Sequence, residues 1–367
     1  MKYDAVIIGG GPAGLCTAVN LLSHGVSCCI IDKAVFPREK ICAGVLTIKT
    51  REKINSIFRG FPWEDLKCST ISKLKIQFRN TSIGTYNLKY PYVIVDRAQF
   101  DYELMKYFLR MNGKLMENER SYKINISDNN IILSDGTIIQ YDFLVGADGI
   151  NSRIRKFIDP LYKPKALCIQ AFTEPDSCPE YVSADFGYIH SGYCWNIPCG
   201  NKLGIGVAGS IKELNNIKKT FTTQAAIYEI GKKDIRSWLL SCGNYVRKPI
   251  NKNIILVGDA AGLVDPVTGE GIYYAVESGI LAADSIVSFY NKGYMNYHST
   301  VKLIHKRINQ QKRFRFLLYS GFFRKSTLFI VKKKTHWAEF IFDEVISAYN
   351  NTYSEALIKL IESLVRK

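Results

Sequence analysis

No uninterrupted apolar run in this chain reaches the ~20 residues that a membrane-spanning helix needs. No internal repeat and no low-complexity segment stands out, which excludes solenoids and disordered arrays. Acidic residues are in deficit, 33 against 49 basic ones, for a formal charge of +16. Nucleic acid is one partner for such a charge, but no nucleic-acid motif accompanies it, and none is expected to bind. Ten cysteines are present, at positions 16, 28, 29, 42, 68, 168, 178, 194, 199 and 242, but they are scattered. No CxxC pair with a second pair or a histidine cluster occurs, so no metal site is expected. Several lie inside apolar runs, where a reduced cysteine behaves as a small hydrophobe. The sequence enters its first strand at residue 4 with no cleavable leader ahead of it. The expectation is a reduced, cytoplasmic location, peripheral to the inner face of the cell membrane if the basic end described below binds there.

What is present is a sizeable globular chain with a strong opening signature. Its 367 residues, 47% of them hydrophobic, allow two or three domains with large cores. Asp4-Ala-Val-Ile-Ile-Gly9 reads as a buried strand and runs directly into Gly9-x-Gly11-x-x-Gly14. A helical pattern follows (Leu15, Ala18, Leu21, Leu22), then a second apolar run, Cys28-Cys29-Ile30-Ile31, ending in Asp32. That order is the fingerprint of a dinucleotide-binding βαβ unit. The glycines let backbone N–H groups approach a diphosphate that a Cβ would keep away, and the helix beginning near Gly11 points its positive end at it. Asp32 is placed to accept the two ribose hydroxyls. The adenosine half so implied makes FAD the expected bound cofactor, and no second complete G-x-G-x-x-G unit is available for NAD(P)H.

The continuation is interrupted. Short strands are expected at Lys73–Phe78 and Thr85–Leu88, a helix from Arg97 to Arg110, and strands around the turn Ser134-Asp135-Gly136. Residues 164–210 read as strand-rich, and 252–257 as a strand followed by a Gly/Asp loop and a helix to about 290. The expected organisation is a Rossmann-like α/β domain from residues 1–70, 96–160 and 245–295. An antiparallel-sheet substrate domain is expected from 71–95 and 161–244, and a basic helical region from 296–367. The last of these concentrates the charge excess: Lys302, Lys306, Arg307, Lys312, Arg313, Arg315, Arg324, Lys325, Lys332, Lys333 and Lys334. Phe314, Phe316, Leu317, Leu318, Phe322, Phe323, Leu328, Phe329 and Ile330 are interleaved. This composition fits either a surface lying on anionic lipid or a helical cap on the core with its charges solvated.

Two later segments echo the first. One is Val145-Gly-Ala-Asp148-Gly149-Ile-Asn-Ser-Arg153, with Arg155 two residues on; the other is Leu256-Val-Gly258-Asp259-Ala-Ala-Gly262, then Pro266 and Gly269-Glu270-Gly271-Ile272. The three segments together resemble the signatures of flavoprotein oxidoreductases related to p-hydroxybenzoate hydroxylase, over about residues 1–290. Within that superfamily the sequence most resembles the geranylgeranyl reductase group, through Lys40-Ile-Cys42-Ala43-Gly44, Tyr193-x-Trp195-x-Ile197-Pro198 with Gly204-x-Gly206, and the Gly-Glu-Gly-Ile stretch. It departs from that group's pattern at Ala43, usually glycine, at Ile197, often phenylalanine, and in a shorter spacer before Gly204. The resemblance implies an FAD site of Gly9, Gly11, Pro12, Ala13, Gly14, Asp32, Lys33, Cys42, Ala43, Gly44, Arg97, Asp148, Gly258, Asp259, Gly269, Gly271 and Ile272. In it Asp259 binds a ribityl hydroxyl, Arg97 lies near the phosphates, and the helix after Gly271 faces the N1/C2=O edge of the flavin.

The activity implied is hydride transfer from reduced flavin to one carbon of an isoprenoid C=C bond, with a proton reaching the other. The reductant is NAD(P)H or reduced ferredoxin, and the substrate a hydrophobic small molecule or lipid. Tyr193 and Trp195, two apart on one strand, share a face, and the resemblance makes them cavity walls. Aromatic walls suit a transiently positive carbon. Cys42 is implied to pass beside the flavin ring as proton donor or gate. Two other readings stay open. A monooxygenase or halogenase shares the fold, and Lys73 and Lys75 fall in the stretch where a halogenase lysine belongs. A flavin-bound, non-catalytic membrane-surface protein is the other.

Overall fold

In the computed structural model, residues 1–66, 68–231, 234–319 and 321–347 are described, with Glu355, Ile358 and Glu362 beyond them. Two sheets of eight strands organise the chain. The first is built on Lys2–Ile8, whose apolar half is shut off from solvent. It pairs in parallel with Cys28–Ile31 on one side and Ile138–Gly146 on the other; Lys114–Met116 and Ile254–Leu256 extend the sheet. Burial on both faces explains why Ala5–Ile8, Cys28–Ile31 and Ile254–Leu256 are continuous apolar runs and not alternating ones.

Helix α1 (Pro12–Ser23) starts with Pro at its first turn after Gly11, where a missing N–H costs nothing. Nearly all of it is buried, because it lies between the first sheet and the long helix Ile272–Lys292. The two helices touch backbone to backbone: a Cβ on Gly279 would stand 2.4 Å from the Ala13 carbonyl oxygen. α2 (Ile48–Ile57), absent from the sequence reading, follows the loop after the second strand. α3 (Arg97–Arg110) falls where the sequence places it, capped by Asp96, whose carboxylate accepts from the N–H of Ala98 at 2.7 Å.

The second sheet runs, edge to edge, through Arg236–Leu240, Ala166–Thr173, Lys202–Ser210, Gly192–Cys199, Val182–Phe186, Cys68–Phe78, Thr81–Val95 and Val45–Leu46. The expectation of an antiparallel sheet needs one correction: Val182–Phe186 pairs in parallel with Cys68–Phe78. These strands come from separate visits of the chain, so no hairpin turn fixes their direction. The hairpin Cys68–Phe78/Thr81–Val95 is also longer than the short strands read from the sequence. Register shifts between Ile71 and Lys73 and between Ile76 and Gln77 break the alternation that marks a strand.

Helix α4 (Leu214–Ile227) covers one face of this sheet with Ile217, Phe221 and Ala225. Following α5 (Ile272–Lys292), the chain returns as α6 (Tyr297–Tyr319), α7 (Gly321–Lys333), α8 (Thr335–Phe340) and a π-helical turn, Ile341–Ser347. Leu328, Val331 and Ala338 pack with Ile71, Leu74, Tyr86, Trp195 and Ile197 of the sheet, and Tyr86 donates its hydroxyl to the Val331 carbonyl at 3.0 Å. From α7 on, the basic region is therefore a roof over the sheet, while α6 packs into the first core through Tyr297, Val301, Ile304 and Ile308. The outer side of the region stays polar: Lys302, Lys306, Lys312, Arg313, Lys332 and Lys333 are exposed, with Phe316 and Phe329 among them. The side chains of Leu317, Leu318, Phe322, Phe323, Arg324 and Lys325 lie outside the described residues. Among the described residues no helix is long and apolar enough to cross a membrane.

Candidate active site

The three glycine-bearing segments meet. Gly9 has φ +109°, and a Cβ there would lie 2.4 Å from the Ala147 oxygen; on Gly14 it would lie 2.0 Å from the Gly9 oxygen. Segment one thus packs tightly against Ala147 of segment two. Arg155 joins segment two to segment three: its buried guanidinium donates to the Ala260 carbonyl at 3.1 Å, to the Asp259 carbonyl at 3.3 Å, and to the Ile150 carbonyl. Gly258, at φ +55°, sits against Ala13 and donates its N–H to Ser278 Oγ at 2.8 Å.

Asp32 ends its strand as expected. Its Oδ2 accepts from the Gly10 N–H at 2.6 Å and its Oδ1 from the Ala34 N–H at 2.8 Å, so each oxygen keeps a lone pair for a hydroxyl. Asp148 is used mainly inside its own turn, accepting from the Arg153 N–H at 2.6 Å. Burial raises its pKa. Asp148 and Asp32 both border Tyr122. Lys33 is exposed on the loop after the strand.

The loop 36–44 carries two cations, Arg38 and Lys40, beside Arg97 of α3. Arg97 pairs with Asp101 through two hydrogen bonds of 2.9 Å, and Arg38 reaches the same carboxylate at 3.2 Å. Asp101 is fully buried, so two guanidiniums share one buried negative charge. Arg38 also stands 3.5 Å from where a Cβ on Gly11 would be. The uncompensated positive charge therefore faces the glycine turn, as a diphosphate requires. Lys40, whose ammonium lies 3.7 Å from the centre of the Trp238 ring, has its pKa lowered by burial despite the nearby Asp259.

Cys42 lies beside Arg97. Its Sγ accepts from the Gly44 N–H at 3.4 Å, and its carbonyl from the buried Gln170 side chain at 3.2 Å. Gly44 is held at φ +74° against Val95, where a Cβ would meet the Val95 oxygen at 2.2 Å. Ala43, next to it, packs toward the second sheet. Asp259 is drawn upward in pKa by burial, opposed by Lys40, Arg97 and Arg155, and its carboxylate takes no hydrogen bond among the described residues. Its Oδ1 lies 3.3 Å from the Cβ direction of Gly271, at the start of α5. α5 begins at Ile272 after Gly271, with no side-chain cap and no acid in its first turn. An uncommitted carboxylate, a bare helix N-terminus and a cation-rich glycine turn are what a ribityl chain, the pyrimidine edge of a flavin and a diphosphate need. These residues fit FAD.

Tyr193 and Trp195 face the same side, ring centroids 5.9 Å apart, and continue to Phe186 and Tyr319. Tyr193 donates to the Thr268 carbonyl at 2.5 Å and Tyr319 to the Val267 carbonyl at 3.1 Å, so the aromatic wall is tied to the loop before α5. The Trp195 indole N–H is buried with no partner among the described residues. Lys73 and Lys75 do not join this wall. Lys73 pairs with Glu180 at 3.8 Å and Lys75 reaches the Tyr181 hydroxyl at 3.4 Å.

Asp265 accepts from the Val267 and Thr268 N–H groups and is pushed up to about 6 by burial. A raised carboxyl pKa means that the folded state holds a proton the unfolded chain releases. Stability from this group is full below about pH 4 and is lost as pH rises through about 6, some ~3 kcal/mol in all. Asp265→Asn keeps the acceptor oxygen. In urea unfolding it should flatten the loss of stability between pH 4 and 7; an unchanged pH profile would count against this assignment.

The comparisons agree with the geometry. The chain is an FAD-dependent oxidoreductase: the FAD binding domain model matches residues 2–56, and the tryptophan halogenase model matches residues 63–329. An uncharacterised protein of Methanosarcina barkeri is 30% identical over 80% of this chain and 76% of its own length. The geranylgeranyl diphosphate reductase of Rhodobacter capsulatus is 27% identical over 80% of this chain and 77% of its own. A crystal structure described as a geranylgeranyl bacteriochlorophyll reductase-like protein of Thermoplasma acidophilum superposes with a TM-score of 0.78 at 18% identity, covering 98% of this chain and 99% of that one. The halogenase model spans most of the chain, which therefore belongs to that family of FAD-dependent flavoproteins, and within it the chain is similar to geranylgeranyl reductases.

Proposed function

We propose that the chain reduces carbon–carbon double bonds of a prenyl chain or a comparably apolar lipid. The observation that carries this reading is the aromatic wall of Tyr193, Trp195, Phe186 and Tyr319, anchored to the loop that precedes α5 and roofed by apolar side chains of α7 and α8. When bound, FAD supplies the hydride. The chain's own part is to keep water out, hold the substrate against aromatic faces that tolerate positive charge, and place a proton. Cys42 is the proposed proton holder or gate, being half-buried, with Arg97 beside it. FAD is held by Gly9, Gly11, Pro12, Ala13, Gly14, Asp32, Arg97, Asp259 and the turn Gly269–Ile272, with Arg38 added. The electrons come from NAD(P)H or a reduced ferredoxin.

A lipid substrate gives the outer face of the basic region a purpose. Lys302, Lys306, Arg313 and Phe316 recur at helical spacing on α6, all exposed. Phe329, Lys332 and Lys333 do the same on α7. Cations with projecting rings suit an anionic bilayer surface, where each Lys or Arg contributes about 1 kcal/mol. The match to the tryptophan halogenase model favours a second reading, halogenation or monooxygenation, against which stands the pairing of Lys73 and Lys75 away from the aromatic wall.

One experiment separates these. The bound flavin is reduced anaerobically and mixed with polyprenyl lipid in vesicles, and reoxidation and product mass are followed. Reoxidation with a gain of two hydrogens per double bond is expected, faster in anionic than in neutral vesicles and slowed by Cys42→Ser. Reoxidation only after oxygen is admitted, with an oxygenated or halogenated product, would replace the reductase reading. Equal rates in both vesicle types would remove the membrane surface. NAD(P)H and reduced ferredoxin, offered separately, identify the donor by which one bleaches the flavin.

A further inference from the structure

A buried ion pair sits where the roof meets the turn before α5. Lys49 in α2 contacts Glu270 Oε2 at 2.6 Å, with both side chains nearly closed to solvent. The same ammonium donates to the carbonyl of Ile346, in the last turn of the roof. The other oxygen of Glu270 accepts from the Thr47 hydroxyl at 2.8 Å and the Thr50 hydroxyl at 3.3 Å. Thr47 is the N-cap of α2, yet its hydroxyl makes no capping bond to its own helix. A residue type that ordinarily satisfies a helix end has been turned to Glu270 instead. Lys49 also lies 5.1 Å from the centre of the Tyr273 ring, in the first turn of α5. Glu270 stands between Gly269 and Gly271, so holding its side chain fixes the turn whose free N–H groups open α5.

We propose that Lys49 is a positioning residue that couples closure of the roof segment Ile341–Ser347 to the flavin-binding turn Gly269–Ile272. One ammonium bonds a side chain of the turn and a backbone carbonyl of the roof. Ordering either partner restricts the ammonium and favours the other. The inference rests on the FAD reading of the site and is independent of the substrate. Its consequence is that a bound flavin makes the roof harder to open, and an open roof loosens the turn.

Hydrogen exchange on full-length protein, with and without FAD, tests this. In the wild type, FAD should slow amide exchange in 341–347 about tenfold, as well as in the first turn of α5. Lys49→Met should abolish the FAD-dependent slowing in 341–347 while leaving that in α5, and Lys49→Arg should restore it. Should Lys49→Met not fold, Glu270→Gln, which conserves volume, carries the same expectation. FAD protecting 341–347 equally in wild type and Lys49→Met, or not protecting it in wild type at all, would overturn the coupling. A wild-type chain that takes up no FAD would overturn the flavin reading instead.

Discussion

Gly14→Ala should yield a chain that purifies colourless and unfolds at markedly lower denaturant. The added methyl would point at the Gly9 carbonyl oxygen from 2.0 Å, with Ile7 and Ala147 side chains within 3.2 Å behind it. None of these is the free end of a flexible side chain, so the strain cannot be relieved by a rotamer change. Overpacking in a close-packed core costs about 1–3 kcal/mol and more where backbone is struck. Gly14 is also where α1 crosses the end of the first strand. Moving the helix away withdraws its N-terminus from the diphosphate, and FAD affinity should fall by at least ~100-fold. Denaturant midpoints and flavin stoichiometry check both parts. Gly25→Ala, where a Cβ meets nothing within 4 Å but φ is +73°, sets the scale for backbone strain without a clash. A Gly14→Ala chain that stays yellow at full stoichiometry would refute this account of the crossing.

The second large effect is at Asp101. Asp101→Asn removes the one negative charge shared by Arg97 and Arg38 while keeping the shape of the side chain. Leaving a buried charge uncompensated costs about 3–5 kcal/mol, well beyond the worth of an exposed pair. The penalty should be smaller with FAD present, because the diphosphate brings anionic charge to the same cluster. Thermal unfolding with and without FAD should therefore show a larger gap between the two states in Asp101→Asn than in wild type. A flavin-independent loss would place the diphosphate elsewhere.

The glycine turn, Asp32 and α3 were legible because their signals are local: each is a short pattern with a fixed mechanical reason. The meeting of the three motifs was legible only through resemblance, since Arg155 reaching Asp259 and Ala260 leaves no periodic trace. The hairpin 68–95 was underread because Arg79 and Asn80, both at positive φ, turn it without the Asn-Gly or Asp-Gly pair that announces such turns. Asp101 was visible only as one more acid on a helix; its role depends on Arg38 arriving from another loop. Lys49 and Glu270 belong to the same class, polar residues whose partners are supplied by distant segments. The basic end of the chain was ambiguous for a physical reason. Amphipathic helices that cover a core and those that lie on lipid share one composition, and α7 has an inward apolar face and an outward cationic one.

That roof also sets an order of assembly. Leu328, Val331 and Ala338, which close over Trp195 and Ile197, are translated after every strand of both sheets. During synthesis the flavin-binding half therefore has all its parts while the neighbouring sheet still lies bare to water. An emerging chain carries a sticky, half-finished surface until α7 and α8 leave the ribosome, and early uptake of the cofactor steadies the finished half during that wait.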